Sequence, residues 1–330
     1  MCERDEDLLA ELLKGKTVLY IATKNADYIR VRQEISLVQR YAGRVDVFVS
    51  EANGYGRRLL SIYKSLLFRS CKQYDIILVG FMAQMILPLW SWKFRHSEVL
   101  VDFFISIYDT LVDDRKKFSA GSLPAKCMHW LDWRTLSYAK YIITDTKAHG
   151  EYFSKEFGIN RDRMLTLYLQ ADAAFYHPME LVRPREWAGK FLVLYFGSIL
   201  PVQGVEVILQ AIESLKEYKE IHFVMIGPIP ERYQKPVLDT VTYIDWLPQE
   251  QLAEYISYAD LCLGGHFSGS VGKAKRTIPG KVYIYEAMGK KIVLGDSPAN
   301  RELFQEDKNH LFVPMGDAHA LADVIVKADG

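Results

Sequence analysis

The sequence alternates short apolar segments with amphipathic helical segments, and this alternation occurs twice along the chain. Strands buried on both faces of a parallel sheet are nearly continuous apolar runs, and strand–helix–strand repetition produces right-handed crossovers. The first half is therefore predicted to form a doubly wound parallel sheet. Its expected strands lie near Thr17–Ala22, Val45–Ser50, Asp75–Phe81, Val99–Phe104 and Tyr141–Thr144.

A break in the pattern separates the two halves. Asp172–Trp187 contains two prolines and no clear period, which indicates a linker. We therefore predict an α/β protein of two Rossmann-like domains, residues 1–176 and 177–330, with a ligand cleft where the carboxyl ends of the two sheets face each other. The strands expected in the second half lie near Phe191–Phe196, Ile221–Ile226, Val241–Asp245, Leu261–Leu263 and Ile292–Leu294.

Composition excludes several classes of protein. With 49% hydrophobic and 25% charged residues, the chain is not disordered in bulk. No apolar run approaches the ~20 residues that span a bilayer, and the acidic start is the reverse of a signal peptide. Four cysteines without a CxxC pair exclude a zinc ribbon and favour reduced thiols in a cytosolic chain.

Charge is distributed unevenly although the net charge is 0. Residues 12–176 contain 24 Lys and Arg against 16 Asp and Glu, whereas residues 177–330 contain 16 against 20. A basic first half is consistent with an anionic surface or acceptor as its partner, and equally with chance scatter.

Two glycine-containing turns of the second half are candidates for binding an anion. The strand Phe191–Phe196 runs into Gly197 and Ser198, and a helix follows Gly204. The segment 264–281, GGHFSGSVGKAKRTIPGK, leads into another helix; four cations and five glycines at a helix start can cradle a diphosphate. A solvated loop is the alternative interpretation. No GxGxxG or P-loop pattern occurs. The cations of the segment are Lys273, Lys275, Arg276 and Lys281.

The second half resembles the donor-binding domain of GT-B glycosyltransferases of the retaining family 4 (glycosyltransferase group 1), in the bacterial polysaccharide-assembly branch. The motifs that carry the resemblance are FGSILPVQGVEVILQAI, HFVMIGPIP, YIDWLPQEQLAEYISYADLCLGG, KAKRTIPGKVY and MGKKIVLGDSPANRELF, in that order. ISIYDTLVDDRKKF and TDTKAHGEYFSKEFG extend it to the first half. The resemblance implies a sugar nucleotide between two Rossmann-like domains, transferred without a required metal ion.

The resemblance also implies roles for individual donor-site residues. The backbone at Gly197 would contact the phosphate or sugar, with Ser198 beside it, and the Ile244 segment would hold the base. Gln203 occupies the position where many members have a lysine, so Lys273, Lys275, Arg276 or Lys281 would supply the charge.

A carboxylate pair of the family is absent from this sequence. Many members have two glutamates eight residues apart, and these positions fall on Arg276 and Ile284. Glu286 lies two residues farther on. Because two residues turn a helix by about 200°, Glu286 can replace the missing ribose ligand only if the helix start has shifted.

Two residues of the first half are candidate catalytic groups. Asp109 lies in Asp102–Arg115, which leaves a strand, and its carboxylate can bind sugar hydroxyls. His149 follows the strand Tyr141–Thr144 at a helix start, where it can bind the donor sugar or stabilise developing charge. A solvated acidic loop and a helix-capping histidine are the alternative interpretations.

The sequence therefore predicts a glycosyltransferase of cell-surface polysaccharide biosynthesis. Its donor would be a UDP- or GDP-linked sugar and its acceptor a glycan or lipid-linked molecule; neither a cofactor nor a nucleic acid partner is expected. A noncatalytic GT-B protein that binds a nucleotide or a partner glycosyltransferase is the alternative, and a nucleotide-sugar epimerase is a third reading. Relatives usually continue with helices that cross back onto the first domain, so a chain ending at Gly330 would be truncated or short.

A basic helix suggests where the protein would act. The cations of the segment after Gly56 fall within an arc of about 140°, opposite an apolar side that includes Leu67. This arc can rest on anionic lipid, which would make a cytoplasmic enzyme peripheral on the inner face of the membrane, or it can be the solvated side of a crossover helix. The cations are Arg57, Arg58, Lys64, Arg69 and Lys72.

Overall fold

The structure is a computed structural model that describes residues 3–330, with side chains described from residue 5 onward. The chain divides into two compact units, Met1–Leu169 and Gln170–Gly330. The boundary between the units lies seven residues before the predicted one and just ahead of the proline-containing segment.

The first unit is a six-stranded parallel sheet in the order β2-β1-β3-β4-β5-β6. Its strands are β1 Thr17–Ile21, β2 Arg44–Phe48, β3 Ile76–Val79, β4 Glu98–Asp102, β5 Tyr141–Thr144 and β6 Met164–Thr166. Its helices are α1 Glu3–Leu13, α2 Ile29–Tyr41, α3 Tyr55–Phe68, α4 Leu87–Trp90, α5 Leu123–Tyr138 and α6 Lys147–Phe157.

Helices cover both faces of this first sheet. Successive strand residues point to opposite faces, so Leu19 and Ile21 join the core beneath α3, α4, α5 and α6. Val18 and Tyr20 of the same strand face the other core, which α1 and α2 cover. This double burial explains why β1 reads as a continuous apolar run.

The second unit repeats the plan with a parallel sheet in the order β12-β11-β10-β7-β8-β9. Its strands are β7 Phe191–Phe196, β8 Ile221–Ile226, β9 Val241–Ile244, β10 Leu261–Gly265, β11 Lys291–Gly295 and β12 His310–Val313. Its helices are α7 Val205–Ser214, α8 Gln249–Tyr258, α9 Gly280–Ala287, α10 Asn300–Leu303 and α11 Ala318–Asp329. The predicted pair of doubly wound parallel sheets is confirmed.

Three local expectations were wrong. The sixth strand of each sheet, β6 and β12, had not been expected. The apolar spacing of residues 82–95 predicts one helix, but the segment is broken: Met82 has a left-handed φ of 61°, Pro88 lies in the first turn of α4, and 3₁₀ turns flank that helix. The basic helix ends at Phe68, so Arg69 and Lys72 lie beyond it, and Leu67 is 57% exposed rather than inward.

Among residues 3–330, no helix is both long and apolar enough to cross a bilayer.

Candidate functional site

The first candidate site is the carboxyl edge of the second sheet, where the loops after β7, β8 and β10 meet. Gly197 follows β7 with a φ of 137°, and a Cβ there would lie 3.3 Å from the Cε of Lys281. Gly204 precedes α7 with a φ of 67°, and a Cβ there would lie 2.3 Å from the backbone nitrogen of Ser268. Glycine is therefore needed at both positions to bring the backbone close to its neighbours.

Lys281 lies in the first turn of α9 and is only 5% exposed. Its Nζ donates a hydrogen bond to Oε1 of Gln203 at 2.5 Å and lies 4.4 Å from the centroid of the Tyr195 ring. A neutral amide and an aromatic face are weak partners for a buried ammonium. Burial accordingly lowers the pKa of Lys281 to about 7. The group is thus poised to gain a proton when an anion arrives.

A neutral histidine lies close to this lysine. His266 follows β10 and is buried, with its Nε2 3.2 Å from Oγ1 of Thr277. Burial, together with the positive charges of Lys281 and Lys273, lowers the pKa of His266 well below its usual value. His266 was not predicted from the sequence as a site residue, although it follows the carboxyl end of a strand directly, which is a signal for one.

The other cations of the segment are arranged differently from Lys281. Gly272–Lys275 forms a single 3₁₀ turn, in which Lys273 is half-buried and Lys275 is exposed. The next residue, Arg276, is half-buried. Of the four predicted cations, Lys281 is the one whose side chain passes over Gly197.

Two further predicted donor ligands lie at the same edge. Ser198 is exposed next to Gly197. Ile244 ends β9 half-buried, and its carbonyl accepts the N–H of Gly227 at 2.8 Å.

Glu286 does not join this group. It is exposed near the C-terminal end of α9, and its Oε2 lies 2.9 Å from Nε2 of His310, the first residue of β12. The first residue of a parallel strand is at the amino edge of the sheet, opposite the edge of Gly197 and Lys281. Ile284, at the position of the missing carboxylate, is buried. The position of Glu286 therefore does not support its predicted role as a replacement for that carboxylate.

The second candidate site is the carboxyl edge of the first sheet. His149 lies in the first turn of α6, where its N–H is bonded at 3.0 Å to the capping Oγ1 of Thr146. Its imidazole is completely buried between two carboxylates: Nδ1 is 2.6 Å from Oδ1 of Asp145, and Nε2 is 3.8 Å from Oδ2 of Asp109. Burial by itself lowers the pKa of His149, but the charges of Asp145 and Asp109 outweigh it, so the pKa is raised.

A buried carboxylate on α5 holds the turn that carries Asp109. Asp132 accepts hydrogen bonds from Oγ of Ser106 at 2.7 Å, from the N–H of Tyr108 at 2.8 Å and from Nε2 of Gln84 at 2.8 Å. Oγ of Ser106 in turn accepts the N–H of Asp109 at 2.9 Å. Burial raises the pKa of Asp132 in spite of these donors.

The structure therefore brings together Asp109 and His149, which the sequence offered as two separate candidates. It adds Asp145 and Asp132, which were not predicted from the sequence as site residues. Asp145 had a signal, since it lies four residues before His149 across a helix start; Asp132 had none. No group of three or more histidine, cysteine or acidic side chains arranged to hold a metal occurs in the described part of the chain.

Comparison with known proteins gives one family match. Residues 190–328 match the family described as glycosyl transferases group 1. No curated protein sequence matches the chain significantly.

Several solved structures resemble the whole chain. HepE from Anabaena in complex with UDP and glucose is 13% identical with a TM-score of 0.63, over 95% of this chain and 90% of that chain. Sucrose-phosphate synthase from Thermosynechococcus elongatus is 13% identical with a TM-score of 0.64, over 94% and 89%. A UDP-forming α,α-trehalose-phosphate synthase from Burkholderia xenovorans is 11% identical with a TM-score of 0.62, over 96% and 91%. The chain thus has the two-domain α/β fold of these proteins, the GT-B fold.

Proposed function

We propose that the protein is a glycosyltransferase that transfers a sugar from a nucleoside diphosphate sugar to a glycan or lipid-linked acceptor. Two findings support the proposal. The group 1 glycosyltransferase match covers the second sheet, its helices and Lys281. The GT-B fold is shared with HepE and with two sugar-phosphate synthases.

The single observation that carries the proposal is Lys281. Its ammonium has a pKa of about 7 and is buried against an amide, and no carboxylate among the described residues offsets this burial. It lies at the N-terminal turn of a helix and over Gly197. The positive φ of Gly197, and the close contact that a Cβ there would make with Lys281, both favour glycine at this position. Helix N-termini and glycine turns both favour phosphate groups. A diphosphate would supply the missing negative charge.

In the proposed reaction, the bond between the anomeric carbon of the donor and the diphosphate oxygen breaks, and the acceptor oxygen bonds to that carbon. The acceptor proton ends on the released diphosphate, so the products are a glycoside and a nucleoside diphosphate. Protonated Lys281 would stabilise the charge that develops on the leaving oxygen. On the basis of the family resemblance, we propose that the configuration at the anomeric carbon is retained and that no metal ion is required. EDTA should therefore leave the rate of sugar transfer unchanged.

The first unit would supply the contacts to sugar hydroxyls. Asp109 and His149 are held at one edge of the sheet by Asp132 and Asp145. A carboxylate accepts hydrogen bonds from hydroxyl groups, and an imidazolium donates to their oxygens. We assign substrate contact to Asp109 and His149, and positioning to the other two.

The first donor to test is a UDP-sugar, because the structures of HepE contain UDP or UDP-glucose. Separate calorimetric titrations of UDP, GDP and ADP test the nucleotide. We expect UDP to bind, and Lys281→Met to weaken binding while Lys308→Met, at an exposed lysine of the same unit, does not. If none of the three nucleotides binds, the donor-site assignment is wrong.

A noncatalytic protein of the same fold is the second candidate. The buried Ile284 and the neutral Gln203, at positions where the family resemblance places charged groups, favour it. Binding of UDP without hydrolysis or transfer of UDP-sugars to any supplied glycan or lipid-linked acceptor would support this candidate against the enzyme.

A further inference from the structure

One side of the first unit has an unusual outer surface. It is formed by α3, the helical segment 87–93 and α5, which cover the same face of the sheet. Nine of the eleven exposed large hydrophobic side chains described in the first unit lie on these three elements, so they are not scattered singly as on an ordinary surface. They are Tyr55, Leu60, Leu67, Phe68, Leu89, Trp92, Leu123, Trp130 and Trp133. We call this surface the basic–aromatic face.

The first two elements of the face are joined. Nζ of Lys93 donates to the carbonyls of Leu67 at 2.9 Å and Arg69 at 3.1 Å, at the C-terminal end of α3. The Tyr63 and Trp90 rings lie 5.7 Å apart beneath the surface. Phe68, which is 84% exposed, therefore lies on the same surface as the segment that carries Trp92, which is 62% exposed.

The third element continues the face. Helix α5 packs against α4. Leu123, Lys126, Trp130 and Trp133 are spaced at three or four residues and are all exposed, so they form one stripe along the helix. The inner side of α5 is buried, with Leu136 in the core of the sheet.

Charge on the face has one sign. Residues 55–68, 87–93 and 123–138 contain six lysines and arginines and one carboxylate. That carboxylate is Asp132, which is completely buried and bonded to the turn of Asp109. The surface thus combines exposed tryptophan, phenylalanine and leucine with a strongly positive potential. The cations are Arg57, Arg58, Lys64, Lys93, Lys126 and Arg134.

We propose that the basic–aromatic face docks onto an anionic phospholipid surface. Cations attract anionic headgroups, while tryptophan and leucine enter the boundary between headgroups and acyl chains. A second copy of the chain fits poorly, because the six cations of one face would lie against the six of the other. The proposal does not depend on the glycosyltransferase assignment, because only the helices of the first unit carry it.

The test is sedimentation of the full chain with vesicles of phosphatidylcholine alone and of phosphatidylcholine mixed with phosphatidylglycerol. We expect binding to the mixed vesicles and little to phosphatidylcholine. The triple variant Arg57→Gln, Lys64→Gln, Lys126→Gln changes three exposed cations. Since each cation near such a surface contributes about fivefold in partition, the variant should bind about 100-fold more weakly.

A second variant tests the apolar part of the face. Phe68→Ser with Trp130→Ser should bind the mixed vesicles at least tenfold more weakly at equal charge, and brominated lipid should quench the wild-type tryptophan fluorescence. Two matched controls remove exposed groups of the second unit and should bind as wild type. The control for the apolar variant is Val237→Ser with Trp246→Ser, and the control for the charge variant is Lys216→Gln with Lys308→Gln and Lys327→Gln.

Three results would overturn the proposal. The first is equal binding to both vesicle types, and the second is controls that weaken binding as much as the face variants. The third is that the wild type does not bind vesicles of either kind. If the face substitutions then disrupt a dimer or a complex with an acidic protein, the face binds protein and not lipid. Thermal unfolding of each variant, which should match wild type because all the changed side chains are exposed, excludes misfolding as the cause.

Discussion

Donor binding should be accompanied by proton uptake at Lys281. The pKa of this lysine is about 7 in the free protein, because its side chain is buried against Gln203 and Tyr195. A diphosphate placed beside the ammonium favours the charged form and raises that pKa. At pH 7 binding should therefore take up roughly 0.5 proton, at pH 8 roughly 0.9 and at pH 6 roughly 0.1.

The same linkage fixes how affinity depends on pH. Lys281 of the free protein must be protonated before the favourable complex forms, so the affinity for the donor falls as pH rises above 7. If the pKa in the complex is 10 or higher, the expected fall between pH 6 and pH 8 is about tenfold, most of it above pH 7. UDP-glucose is the better ligand for this measurement, because its diphosphate diester lacks the terminal phosphate group that titrates near pH 6 in UDP.

Calorimetry in buffers of different ionisation enthalpy measures the proton uptake directly. Lys281→Met keeps an unbranched chain but removes the charge, so it should abolish the uptake and the pH dependence. Loss of a charge-assisted hydrogen bond, about 1.5–3 kcal/mol, should weaken binding roughly ten- to hundredfold at pH 7. Lys308→Met is the control and should retain both. UDP-glucose binding without proton uptake, or with full affinity in Lys281→Met, would refute the reasoning.

Three further outcomes are expected. The pKa of Lys281 is lower in the folded than in the unfolded state, so unfolded chains bind more protons between about pH 7 and pH 10. The stability of the wild type should therefore rise with pH in this window. In thermal unfolding, Lys281→Met should have a higher Tm at pH 7 and a smaller increase of Tm with pH. The Asp145→Asn variant removes a charge that raises the pKa of His149, so an NMR titration should find that pKa lower than in wild type, and an unchanged value would contradict the assigned cause. Gly204→Ala and Gly158→Ala both strain a left-handed residue by about 1–2 kcal/mol, but only the first also clashes with backbone, so chemical denaturation should find Gly204→Ala the more destabilised of the two.

The sequence predicted the parts of the fold that depend on periodicity. Both parallel sheets followed from repeated apolar runs, because strands buried on two faces leave that signal. Strand β6 has only three residues, Met164–Thr166, and β12 has four, His310–Val313. β6 pairs with β5, and its Met164 and Leu165 are buried in the two cores of the first unit, while β12 pairs with β11. These contacts between distant parts of the chain stabilise both strands and are not visible in the short runs themselves. The prediction of one helix over residues 82–95 was wrong because the apolar spacing was given more weight than Pro88, which occupies the first turn of a new helix.

The candidate sites were predicted in identity but not in arrangement. Lys281 was one of four cations in a loop, and nothing in the linear order distinguished it from the exposed Lys275. What distinguishes it is burial beside Gln203, 78 positions earlier in the chain, and this proximity arises only when the loops after β7 and β10 meet. Asp132 is a similar case, since its bonds to the turn at Ser106–Asp109 come from a helix in which an acidic residue would ordinarily be taken as solvent-exposed.

The contact between Gln203 and Lys281 also explains why a neutral residue occupies position 203. Oε1 of Gln203 and Nζ of Lys281 are 2.5 Å apart in a buried place. A lysine at position 203 would bring a second ammonium against the first, which would lower both pKa values and discharge one of the pair near neutral pH. Positions 203 and 281 can therefore hold one full positive charge between them, and in this chain α9 supplies it. Because no carboxylate of the described residues pairs with that charge, it stays available to a ligand, at the expense of the stability that Lys281→Met should recover.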